Sequence, residues 1–269
     1  MRVFNLKPHP YLRSYISRYW VWENEPVLPR LLPGTGTELM FHYGQPLRWK
    51  NERGQAITVP RSHIMATRFG YYSLEPVSNM GFIAVRFRAG AFRHFCREAG
   101  HDLIDEFIDI NDIWGHSGQK FGQQIIEAKT LEDRISIIEK VLMGFLEQYR
   151  RPEYWLDRAV RKVLYGYNAV SIEEVSKELC ISERQMQRRF KEAVGITPKG
   201  FQRVSRFEAV MRHLLLNKEQ SYLAAALEHG YYDQSHFIKE CNAYVGEHPS
   251  LFLQEKNFMS HFYNKSLSR

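Results

Sequence analysis

Ser182-Glu183-Arg184-Gln185-Met186-Gln187-Arg188-Arg189-Phe190-Lys191 is followed by Gly195, Pro198 and Phe201. Fifty-one residues further on stand Asp233-Gln234-Ser235-His236-Phe237-Ile238-Lys239, then Gly246, Pro249 and Phe252. The two stretches repeat one pattern, with Met186 matched by Phe237, Arg188 by Lys239 and Gly195 by Gly246. The segments ahead of them repeat at an offset of 50: Ile172, Val175, Ser176 and Leu179 against Tyr222, Ala225, Ala226 and His229. The second copy therefore has one extra residue in its turn. Each copy reads as a short helix, a turn of about three to four residues and a capped second helix, the layout of a helix-turn-helix. Ser176 and Ala226 are small where the second helix must cross the first.

Helix signals continue on both sides. Ser171-Ile172-Glu173-Glu174 and Ser182-Glu183-Arg184-Gln185 read as capping boxes. Thr197-Pro198 starts a long helix with Phe201, Val204, Phe207, Met211 and Leu214 at three- and four-residue steps. Ser221, Asp233 and His248-Pro249 open three more, and Pro152 fits the first turn of a helix reaching Tyr165. The first half reads differently. Glu38–Tyr43, Ala56–Val59, Ser62–Thr67 and Gly81–Phe87 are short β-branched and aromatic runs between turn signals such as Pro33-Gly34 and Arg53-Gly54. Helical patterns follow over Ala91–Ala99 and over Thr130–Tyr149, the latter with Thr130 as N-cap and Ile135, Ile138, Leu142, Phe145 and Leu146 as its apolar stripe.

The expected architecture is α+β with two domains: a β-rich, barrel or cupin-like domain over 1–150, an all-α domain with two helix-turn-helix units over 151–256, and a tail over 257–269. No apolar run approaches the roughly 20 residues needed to span a bilayer, and Met1–Leu6 lacks the apolar stretch of a secretion signal. The expected location is the cytoplasm, with no membrane partner. The net charge is +7 over 269 residues. Between Ser182 and Arg212 eight basic residues face three acidic ones, so this window alone carries +5. That charge suits a surface that meets nucleic acid and equally a solvated helical face.

The second copy, Gly230-Tyr231-Tyr232-Asp233-Gln234-Ser235-His236-Phe237 with Gly246-Glu247-His248-Pro249, resembles the signature of the AraC family of bacterial regulators. The first copy resembles that family's Ser…Leu-x-Arg-x-Phe-Lys pattern, with Met186 in the leucine place. The resemblance covers Tyr154 to Phe252. It departs at Lys239 and Cys241, where the family has Arg and Phe, and at Cys180, which stands for the usual turn glycine. Leu31-Leu32-Pro33-Gly34, Glu38–Phe41 and Val85-Arg86-Phe87-Arg88-Ala89-Gly90-Ala91 resemble an uncharacterised domain associated with the same family. The resemblance implies a sequence-specific DNA-binding transcription regulator. Its control would come from a small-molecule effector, or from homodimerisation through the first domain, and an activator would also contact RNA polymerase.

Recognition helices present a few side chains to base edges in the major groove. Met186 and Phe190 form the inward stripe of the first unit, leaving Arg184, Gln185, Gln187 and Arg188 as base readers; Gln234, Ser235, His236 and Lys239 match them in the second. Arg suits guanine O6 and N7, and Gln suits adenine N6 and N7. Ser182, Arg189 and Lys191 are the phosphate candidates, with Arg189 alternatively an ion-pair partner.

Other chemistry is thinly supported. His94 and Cys96 with His101, and His42 with His63, lack the further ligands and spacing of a metal site. No GxSxG, P-loop or GxGxxG occurs, so no cofactor and no enzyme activity are expected. The alternative is a barrel enzyme carrying an AraC-like unit, for example one for DNA-alkylation repair. That chemistry needs clustered reactive cysteines, and Cys96, Cys180 and Cys241 are scattered.

Overall fold

The run Gly81–Phe87 is apolar at almost every position because the strand it forms is covered on both faces. The computed structural model describes residues 2–24, 30–75, 77–217, 221–254 and 267–268. In chain order its strands are β1 (Arg2–Leu6), β2 (Ile16–Glu23), β3 (Glu38–His42), β4 (Arg48–Lys50), β5 (Ala56–Ile57), β6 (Ser62–Met65), β7 (Ser73–Glu75), β8 (Gly81–Phe87), β9 (Phe107–Asp109) and β10 (Leu267–Ser268). The helices are α1 (Ile110–Trp114), α2 (His116–Glu127), α3 (Leu131–Tyr149), α4 (Tyr154–Tyr165), α5 (Ile172–Glu178), α6 (Glu183–Val194), α7 (Pro198–Leu216), α8 (Tyr222–Glu228), α9 (Gln234–Val245) and α10 (Pro249–Gln254).

The strands form two sheets, a seven-stranded one ordered β10-β1-β2-β8-β3-β6-β9 and a three-stranded one ordered β5-β4-β7. The β-rich character of the first half is as the sequence indicates, but among the described residues no barrel closes. Short β9 and β10 remain at opposite edges of the large sheet, and the small sheet stands apart. Cover replaces closure. Tyr19, Val21, Leu39, Phe41, Ile83 and Val85 on one face pack under Phe121, Ile138, Leu142 and Phe145 of α2 and α3. The alternate residues, Trp20, Trp22, Met40, Phe82 and Ala84, turn to the other face and join Trp49 and Leu74 of the small sheet in one core that continues into the helical domain.

Several local expectations shift. Ala91–Ala99 is not an α-helix: 3₁₀ turns cover Ala91–His94 and Gly100–Leu103 only, because Phe92 and Phe95 are pulled under β8. Pro152 lies just before α4 rather than in its first turn, with Glu153 at the N-cap. The box at Ser171 is complete. Ser182 only accepts from the Gln185 amide, without the reciprocal half. Thr130 caps α3, and Pro198 opens α7 behind Thr197, as expected. Of the tail expected over 257–269, only Leu267–Ser268 falls among the described residues, paired with β1. No helix among the described residues is long and apolar enough to cross a membrane.

A buried ion pair ties the sheet to the helices. Glu38 and Arg86 stand opposite each other in the β3–β8 register and bond at 2.8 Å. The other arm of the guanidinium reaches Glu208 of α7 at 2.9 Å. Thr35 donates to the same Glu208 carboxylate from its amide (3.1 Å) and its hydroxyl (2.7 Å). Arg86→Met therefore leaves the Glu38 carboxylate buried without its cation, which should cost about 3–5 kcal/mol. The double change Arg86→Met/Glu38→Met should recover part of that loss. Denaturant titration of the three proteins checks this, and a single-variant loss below about 1 kcal/mol would contradict it.

The inner face also holds two stacked histidines, His42 and His63, with ring centroids 5.6 Å apart. His63 Nδ1 donates to the Pro60 carbonyl at 2.8 Å. Burial first, then the charges of His63 and Arg61, lower His42 to about 3. Burial lowers His63 to about 4, against the pull of the Pro60 carbonyl. Both rings are neutral in the folded chain and near 6.5 when unfolded. Below pH 6.5 the unfolded chain takes up protons that the folded chain refuses. The stability they contribute is thus complete above pH 6.5 and falls as pH drops toward 4, by on the order of 1 kcal/mol per histidine per unit. Thermal melts from pH 7.5 to 4.5 should show this slope, reduced in His63→Phe. An unchanged slope in that variant would contradict it.

Candidate nucleic-acid interface

Each repeat forms two helices across a short turn, α5–α6 and α8–α9, and α7 joins the two units. Val175 and Met186 pack inside the first, and Ala225, Ala226 and Phe237 inside the second. Ser176 is buried at the crossing, with its hydroxyl on the Ile172 carbonyl at 2.9 Å and beside the Met186 sulfur at 3.2 Å. The first turn passes through Cys180 at φ 54, a left-handed conformation that glycine adopts more easily and that Gly230 takes in the second turn. Cys180 is exposed, whereas Cys96 and Cys241 are buried. Burial, and then the nearby Glu247, push the Cys241 thiol up to about 12, so it sits as a small core side chain.

The reading helices are capped where the sequence says. Ser182 accepts from Gln185 N at 3.2 Å, and Asp233 accepts from His236 N at 2.7 Å. Arg184, Gln185, Gln187, Arg188 and Lys191 are all exposed on α6. Arg184, Arg188 and Lys191 share one face at four- and three-residue spacing. Among the described residues no carboxylate pairs with these three. Gln234, Ser235, His236 and Lys239 are likewise exposed on α9. Gln234 donates to the Tyr222 hydroxyl at 2.9 Å.

Three basic residues of the Ser182–Arg212 window do not stand free. Arg189 is held by Glu153 and Glu192, each at 2.6 Å, so the ion-pair alternative describes it. Arg203 and Arg206 both hold Glu240, a buried carboxylate of α9. The outward positive charge is smaller than the window's +5 and concentrates on the outer face of α6. Two features escaped sequence reading. Tyr232, 88% exposed directly before the Asp233 cap, looks like one more aromatic beside Tyr231. Arg206 looks like one more cation on α7.

Both reading helices end on the β-rich region. α6 ends at Gly195 (φ 95), where a Cβ would meet the Ile104 side chain at 2.3 Å. Thr67 donates to the Val194 carbonyl at 3.3 Å. α9 ends at Gly246 (φ 81), where a Cβ would meet the Tyr71 ring at 2.5 Å. Arg30 donates to the Val245 carbonyl at 3.0 Å and pairs with Glu247. The C-terminal ends are covered and the N-terminal halves left open.

Between β2–β8 and α4–α7 runs a cleft of about 630 Å³. Arg18, Arg88, Arg161 and Arg212 line it beside the Arg86–Glu208 pair, and Val160, Leu164 and Phe87 form its apolar wall. Among the described residues, no group of His, Cys, Asp or Glu side chains could hold a metal ion. His94 instead accepts from the Arg151 amide at 3.2 Å and faces Asp157 at 3.4 Å.

Residues 175–255 match the family described as a helix-turn-helix domain, and residues 5–109 match a domain of unknown function, DUF6597. No curated protein matches the chain. Among solved structures the fold is similar to that of ToxT from Vibrio cholerae in its P21 form, with TM-score 0.50 at 9% identity, over 87% of this chain and 97% of that one. ToxT bound to (E)-4-(8-methylnaphthalen-1-yl)but-3-enoic acid gives 0.49 at 10%, over 87% and 96%. ToxT bound to an unsaturated fatty acid gives 0.45 at 10%, over 93% of each chain. At such identities the likeness is one of fold alone. The match over 175–255 falls on the 51-residue repeat and its two capped helices, so this part of the chain is a helix-turn-helix domain, and residues 5–109 are a DUF6597 domain.

Proposed function

We propose that the protein is a sequence-specific, DNA-binding transcription regulator acting in the cytoplasm, with no catalytic activity of its own. The reading units lie in a domain starting near residue 151, after a regulatory domain over 1–150. One observation carries this most: two capped helices on one repeat keep their N-terminal halves exposed, and one of them bears Arg184, Arg188 and Lys191 without ion pairs. Arg188 reads a base and Lys191 holds a phosphate. Selection of random duplexes with the full chain should yield a defined site, and affinity should fall steeply with salt. Arg188→Ala should cost about 1–3 kcal/mol and relax preference at one base pair. Lys191→Ala should weaken all sequences alike and lower the salt slope by about 1. Binding that ignores salt, or equal losses for both variants on every sequence, would contradict the assignment.

The effector is an anion with an apolar body, held in the cleft between β8 and α7. The cleft favours this class because arginines from both halves of the chain line it together with Val160, Leu164 and Phe87. A ligand touching both halves biases their arrangement only through its different affinity for each. A straight-chain carboxylate should raise the melting temperature of the full chain, and the alcohol of equal length should not. Arg161→Ala/Arg212→Ala should abolish the difference. Equal shifts from acid and alcohol, or none from either, would contradict this reading. Homodimerisation is the second route of control. The outward face of α3 carries Ile135 and Met143 around Gly144, whose Cβ position meets nothing within 4 Å. Sedimentation of the full chain tests it: a monomer at all concentrations removes this route.

A further inference from the structure

Among the described residues, Glu240 is the one acidic residue in the buried polar set of the helical domain, at 4% exposure. It lies on α9 one turn behind His236, so the two share a face of the reading helix. Arg206 of α7 stands between them. Its Nη2 is 3.3 Å from Glu240 Oε2 and 3.4 Å from Nε2 of His236. Its guanidinium lies over the Tyr231 ring at 4.2 Å from the centroid. Tyr231 donates its hydroxyl to the same carboxylate and packs edge-on against the His236 ring at 5.2 Å. Arg203 supplies a further donor to Glu240 at 3.2 Å. Without the carboxylate, nothing in this arrangement would hold two arginines so close together.

The consequence falls on His236. Arginine only donates, so the imidazole nitrogen that faces it must accept. In a neutral imidazole the partner of one nitrogen decides where the proton sits on the other. We infer that Glu240 and Arg206 are positioning residues that hold His236 with its proton on Nδ1, so that the second reading helix offers an N–H donor to the groove. Its base partner is then an acceptor, guanine O6 or N7 or thymine O4, and not the amino group of adenine or cytosine. This deepens the DNA-reading function proposed above and rests on it. Arg203 and Arg206 share the one Glu240 carboxylate, which draws both guanidiniums toward the protein.

The tautomer can be read without DNA, which separates this inference from the function it serves. Imidazole nitrogen NMR of the DNA-free full chain at neutral pH should show His236 protonated at Nδ1 and unprotonated at Nε2. Glu240→Gln and Arg206→Met should each return His236 to a mixture of tautomers while the amide spectrum stays folded. If Glu240→Gln fails to fold, Arg206→Met, which keeps an apolar stem over Tyr231, gives the same readout. A proton on Nε2 in the unchanged protein, or an unaltered tautomer in the folded variants, overturns the inference. On the selected duplex, the base pair facing His236 should offer guanine or thymine. Both variants should lose about tenfold in preference at that pair and little elsewhere, the size expected for one good base contact. A preference for adenine or cytosine amino groups there would equally overturn it.

Discussion

The carboxylate of Glu208 is the point on which the molecule hangs. It accepts from Arg86 of β8 and from Thr35, and Arg86 is itself locked to Glu38 inside the sheet. Two residues earlier on the same helix, Arg206 turns to the opposite side and holds Glu240 of α9. α7 is thus tied by charge to the sheet on one side and to the second reading helix on the other. A long apolar side of the helix is buried besides, from Phe201 through Val204, Phe207, Val210 and Met211 to Leu214 and Leu215. A helix buried on so many sides cannot turn without opening several contacts at once. The spacing of the two units follows from this helix more than from the short turns within them.

The β-rich region meets the reading domain at equivalent points of the repeat. Ile104 and Thr67 touch the end of α6; Tyr71 and Arg30 touch the end of α9. Glycines at both ends have left-handed backbones, so each helix stops abruptly and lets the neighbouring surface come close. This covers the C-terminal ends and leaves the capped ends, where the N–H groups and the exposed polar side chains lie, facing outward. Arg86, Thr67 and Arg30, which make these contacts to α7, α6 and α9, all lie in the β-rich region. The arginine-lined cleft sits at that junction.

The helical half was legible because its signals are local. N-caps at Ser171, Ser182, Thr197 and Asp233 and the three- and four-residue apolar steps of α7 depend on neighbours within one or two turns. The sheet was legible only in part. β3 and β8 stood out, but β2 did not, because Tyr19-Trp20-Val21-Trp22 is buried on both faces and shows no alternation. β4, β7 and β9 are three residues each, too short for any period to show. Ala91–Ala99 looked helical by composition, yet Phe92 and Phe95 are claimed by β8, a pairing that no local rule foresees. At the interface the exposure of the candidate residues on α6 and α9 could be foreseen from helix geometry alone. That Arg189, Arg203 and Arg206 are drawn into ion pairs could not, since Glu153 and Glu240 lie 36, 37 and 34 residues away from them.

The central claim is that α7 and the sheet hold α6 and α9 as one reader of fixed span. Hydroxyl-radical footprinting of the full chain on its selected duplex measures that span directly. The account predicts two protected windows on one face of the DNA, about 10 bp apart and constant between sites. A single window, or two whose separation varies from site to site, would contradict it.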